Sequence, residues 1–156
     1  MKTIIVHKPE QSHAATDLRL ILENGGHQVR IMEYGPAITG FQLYQDIEAD
    51  EPDMLCTVGL AGFNIKTDTG YVAYINLSCP NIHFITVGRD VADRSSPAAY
   101  EHLDCLAGTL SIAMFFYCLD RDTYDYLHKN CPDIPYLKLV ANMAEGVEDF
   151  MREAAT

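Results

Sequence analysis

Two imidazoles flank the point where the first predicted strand gives way to the first predicted helix. The strand from Thr3 to His7 ends in His7-Lys8-Pro9, and His13 follows near the helix start. Imidazole titrates near neutral pH, so His7 is a candidate to move a proton or hold an anion, with His13 and Lys8 beside it. The competing reading is that His7 bonds a neighbouring loop carbonyl while His13 is solvated. No HxH, HxxxH or CxxC spacing accompanies these histidines, so no metal site is expected.

Three further segments carry candidate chemistry. Gly59-Leu60-Ala61-Gly62-Phe63-Asn64 follows a buried apolar run. Gly59 and Gly62 there would let backbone amides approach an anion or sugar hydroxyl, with Asn64 as a polar partner. Neither GxGxxG nor GxxxxGKS is present, which disfavours a dinucleotide or triphosphate in the usual modes, and no cofactor is expected. A tight turn is the structural alternative. Lys66, Asp68 and Thr69 could extend that site at the amino end of a following helix, or equally serve as capping and solvent-facing residues. Arg89 could pair with a phosphate or carboxylate and Asp90 could accept a hydroxyl proton, although adjacent opposite charges on a loop are often only solvated. Asp120 is the second, weaker catalytic candidate, and its position fits a helix cap better than a general base. Cys118 lies inside an apolar strand and Ser95-Ser96 lacks a GxSxG elbow, so no nucleophile is indicated.

The elements that must position these groups alternate regularly. Ile112 to Leu119 is an aromatic-rich apolar run suited to a strand buried on both faces. Asp120 stops it and starts a helix that Lys129, Asn130 and Pro132 close, and a strand from Tyr136 to Val140 follows. Ahead of this unit, Ser12 to Glu23 places Ala15, Leu18, Ile21 and Leu22 on one helical face before Asn24-Gly25-Gly26. His27 to Glu33 alternates apolar and polar residues and is expected near a sheet edge. Phe41, Tyr44 and Ile47 mark a short helix, Met54 to Val58 a buried strand, about Thr69 to Leu77 a helix, and Ile82 to Val87 a strand. Arg89 to Pro97 reads as a loop, and Ala98 to Leu106 as a short helix. The final helix, Glu145 to Ala154, is expected to turn Val147, Phe150, Met151 and Ala154 inward. Six strands and six helices give a single three-layer, doubly wound Rossmann-like α/β domain over residues 1–156, with a mostly parallel sheet of five to six strands.

Composition narrows the partners. A net charge of −11, from 22 acids against 11 bases, repels phosphate backbones and anionic lipid, so neither nucleic acid nor a membrane is an expected partner. Met-Lys-Thr runs directly into a strand, and no long apolar span is present, which points to a cytoplasmic protein. The five cysteines, Cys56, Cys79, Cys105, Cys118 and Cys131, are odd in number and read as reduced thiols.

The order of motifs resembles the amino-terminal lobe of bacterial two-lobed, GT-B-type glycosyltransferases, including spore-maturation-associated members. Three segments carry the likeness: D-M-L-C-T-V-G-L-A-G-F (Asp53 to Phe63), N-I-H-F-I-T (Asn81 to Thr86), and F-Y-C-L-D-R-D-T-Y-D-Y-L with I-P-Y-L-K-L-V-A-N (within Phe116 to Asn142). The resemblance implies an acceptor-facing lobe. In such proteins the donor nucleotide sits in a second lobe, usually with an E-x7-E-like pair or a basic phosphate clamp, and neither is recognisable here. It therefore implies a lobe or remnant without stand-alone transfer, or one half of a split enzyme whose donor lobe is a separate chain. A sugar or other small polar ligand would sit around His7, His13, the Gly59 to Asn64 loop and Arg89. The alternative is a noncatalytic α/β module that senses a ligand or binds protein, as a homodimer or with another partner. A receiver domain is excluded because its acidic pair, aspartate and lysine positions read His7-Lys8, Gly59 and Asp120. A flavodoxin-like electron carrier is disfavoured because KPEQSH supplies one serine and no glycine.

Overall fold

The computed structural model describes residues 1–7, 9–33, 40–58, 65–67, 70–72, 79–85, 114–130, 132 and 134–154. Its strands are β1 (Lys2–His7), β2 (Gln28–Glu33), β3 (Met54–Val58), β4 (Ile65–Thr67), β5 (Gly70–Val72), β6 (Asn81–Ile85), β7 (Met114–Cys118) and β8 (Leu137–Leu139). The described helices are α1 (Ser12–Asn24), α2 (Gly40–Asp50), α3 (Arg121–Asn130) and α4 (Met143–Ala154), with a 3-10 turn at Pro9–Gln11. Six strands form one open, wholly parallel sheet in the order β2-β1-β3-β6-β7-β8. It is the expected α/β Rossmann-like arrangement.

The strand sequences explain their places. β1 and β3 are buried along almost their whole length, as continuous apolar runs covered on both faces must be. β2 alternates exposed and partly buried residues, and it lies at the sheet edge. The parallel register aligns Ile5, Cys56, Ile82 and Phe115 across one face. Ala15, Leu18 and Leu22 of α1 and Val147 and Phe150 of α4 share a core cluster with that row. Leu43 and Ile47 of α2 pack with Ile4, Val6 and Leu55 on the opposite face. The two helices lie on opposite faces because the chain moves outward from β1 to β2 and then back across β1 to β3, and right-handed crossovers in opposite directions deposit helices on opposite sides. α3 packs on β7 and β8.

Caps fix where the helices stop and start. At the end of α1, His27 N–H donates to Leu22 carbonyl at 3.1 Å and Gly26 N–H to Glu23 carbonyl at 3.0 Å. This paired closure needs a left-handed residue, supplied by Gly26 at φ +88°. Asn142 Oδ1 accepts from Glu145 N–H at 2.9 Å, and Glu145 Oε2 accepts from Ala141 N–H at 2.7 Å. The two bonds close the start of α4 much as a capping box does.

Two expectations need correction. The predicted helix from about Thr69 to Leu77 is not helical at its start: Gly70–Val72 pairs antiparallel with Ile65–Thr67 as a small separate hairpin. Ile65, Thr67, Tyr71 and Val72 favour extended backbone, Gly70 disfavours helix, and only Asp68 and Thr69 separate the strands, the commonest hairpin spacing. Residues 73–77 lie outside the described residues. In α4, Ala154 is exposed and Asp149 is buried instead. The predicted loop at Arg89 to Pro97 and helix at Ala98 to Leu106 also lie outside the described residues.

Candidate functional site

In an open parallel sheet, ligand crevices form beyond the carboxyl ends of strands where the chain's direction of progress reverses. Here that point is the junction of β1 and β3, because β2 lies on one side of β1 and every later strand of the sheet on the other. His7 is the last residue of β1. It pairs in register with Glu33 of β2 and stands one residue beyond the Val6–Thr57 pair with β3. Only 4% of its surface is exposed. The sequence candidate therefore sits at the reversal point.

The neighbouring candidates divide into described and undescribed groups. His13 is exposed in the first turn of α1, which the 3-10 turn at Pro9–Gln11 connects to the same rim. Gly59 follows Val58, the end of β3, directly in sequence. Gly59, Gly62, Asn64, Arg89 and Asp90 themselves lie outside the described residues, as do Asp68 and Thr69. Lys66 belongs to β4, so the helix amino end expected to recruit it is replaced by a hairpin. Asp120 stands at the carboxyl end of β7, and its Oδ1 accepts from Thr123 N–H at 2.7 Å, capping α3.

The starts of the helices differ in charge: α3 and α4 carry an acid in the first turn, whereas α1 and α2 carry none. α3 has the Asp120 cap and Asp122 in its first turn, and α4 has Asn142 and Glu145. At α1, no side-chain oxygen bonds an amide from the N-cap position, and its first turn carries no acid. In a chain with twice as many acids as bases, the helix start nearest His7 thus keeps its positive pole uncompensated by an acidic side chain in that turn.

The amino-terminal rim is closed differently. Lys2 Nζ meets Asp50 Oδ1 at 3.1 Å, Arg30 reaches the same oxygen at 3.5 Å, and Lys2 N–H donates to Asp53 Oδ2 at 2.8 Å. These contacts tie the end of α2 to β1 and β2, and the start of β1 to the residue that precedes β3. They hold structure at the end of the sheet where ligands are not expected.

Two polar groups were missed from sequence. Thr57 and His83 are opposite each other on β3 and β6, fully buried, with Thr57 Oγ1 2.7 Å from His83 Nδ1. Burial pushes the His83 imidazole down to about 3, so the ring is neutral at physiological pH, and it packs against Phe116 at 5.0 Å. The second group centres on Asp149, only 2% exposed, on the inner side of α4. Lys138 Nζ donates to its Oδ1 at 2.6 Å, and Tyr117 and Tyr136 hydroxyls donate to its Oδ2 at 2.9 and 2.6 Å. Arg152 adds a contact at 3.3 Å. Burial works to raise this carboxyl, but bonds from Lys138, Tyr136 and Tyr117 and the lysine charge outweigh it, holding the group down at about 2. Burial and the same carboxylate push both tyrosines upward.

Both groups are already bonded within the chain. His83 is sealed from solvent, and the Asp149 carboxylate is already saturated by donors of its own chain. Cys56, Cys79 and Cys118 are buried free thiols, with Cys118 pushed up to about 12 by burial and by Asp120. They are protonated and inert at neutral pH. Among the described residues no cluster of three or more His, Cys, Asp or Glu could hold a metal, and no helix is long and apolar enough to cross a membrane. No family model, curated protein or solved structure matches the chain.

Proposed function

We propose that this chain is a ligand-binding lobe that holds a small polar molecule in the crevice between the carboxyl ends of β1 and β3, without completing group transfer alone. The observation that carries this reading is His7, nearly buried at the end of β1 where the strand order reverses. The start of α1 supports it, because a helix start that follows His7 closely in sequence and has no acid in its first turn favours an anionic or hydroxyl-rich ligand. The resemblance of residues 53–63, 81–86 and 116–142 to a glycosyltransferase acceptor lobe makes sugar-bearing molecules the first class to examine. Under that reading, Gly59, Gly62, Asn64, Arg89 and Asp90 contribute from the chain segments that follow β3 and β6 in sequence. A separate donor-binding lobe would complete the enzyme.

The test is thermal-shift screening against nucleotide sugars, nucleotides and simple glycans, with His7→Gln as control. A ligand at one hundred times its Kd adds about 2.7 kcal/mol to the folded state. For a domain of this size that corresponds to about 5–10 °C in Tm. The expected result is such a rise for at least one sugar-bearing compound, reduced at least tenfold in apparent affinity by His7→Gln. Absence of any response, together with a stable dimer in sedimentation, would instead favour a protein-interaction module.

A further inference from the structure

We draw no further inference here: the strongest candidate outside the crevice, the cluster of Tyr117, Tyr136 and Lys138 around the buried Asp149 between β7, β8 and α4, carries nothing because its carboxylate is saturated by donors of the chain itself and nothing in the structure points to a ligand there.

Discussion

Asp149 is costly to bury and correspondingly costly to disturb. Removing one partner of a buried, hydrogen-bonded charge costs about 3–5 kcal/mol because the remaining groups stay desolvated. Asp149→Ala should lower stability by about that much in urea unfolding at pH 7. Its carboxyl is held below the value of about 3.9 expected when unfolded, so its contribution is complete above pH 4 and disappears as pH falls through about 2. The gap between wild type and Asp149→Ala should therefore narrow below pH 4. His83 also opposes acid, over a different range. Its folded value, about 3, lies below the unfolded value near 6.5, so stability is full above pH 6.5 and falls by up to about 1.4 kcal/mol per pH unit on the way to pH 3. His83→Asn, whose amide can still meet Thr57, should flatten the profile between pH 6.5 and 4.5. An unchanged slope there would show that His83 keeps its charge in the fold.

At the scale of elements, α4 is the piece on which the sheet's first face depends. Phe150 meets Phe115 edge-to-face at 4.9 Å, and Gly146 lies against Phe84 and Tyr117. A Cβ there would lie 2.6 Å from Phe84 Cε1 and 3.3 Å from Tyr117 Cγ. Phe84 is fully buried and stacked on Tyr117 at 5.6 Å, so its ring has little room to yield. Gly146→Ala should cost about 1–2 kcal/mol net, overpacking outweighing the gain of up to about 1 kcal/mol in helix propensity. Phe150→Ala should cost about 3–5 kcal/mol with an unchanged denaturant slope.

The same elements show what can be read from residues alone. The strand, helix, strand unit around Asp120 and the edge position of β2 were legible because hydrophobic period and cap chemistry agree there. The β4–β5 hairpin was not, since three-residue strands are shorter than any usable period. Asp149 was hidden for another reason: as an acid between Val147 and Phe150 it breaks the apolar face, and its partners Tyr117, Tyr136 and Lys138 meet it only through the β7–β8 register. His7 could be named because a titratable residue closing a first parallel strand is visible in sequence. Its nearness to β3 required the strand order.

For the whole molecule, two rims of one sheet divide the labour. Ion pairs of Asp50 with Lys2 and Arg30, and a hydrogen bond from the Lys2 backbone N–H to Asp53, fasten the amino-terminal rim, while the carboxyl-terminal rim carries His7 and the start of α1. Under the proposed reading, the strong negative charge would restrict such a site to ligands small enough to meet local dipoles rather than the overall field. The most direct measurement is a 15N-resolved NMR titration with the nucleotide sugar or glycan that gives the largest thermal shift. Binding at the β1–β3 rim predicts saturable shifts concentrated at His7, Ser12–Ala15 and Val58. Shifts concentrated instead around β8 and α4, or none with any compound of the panel, would contradict it.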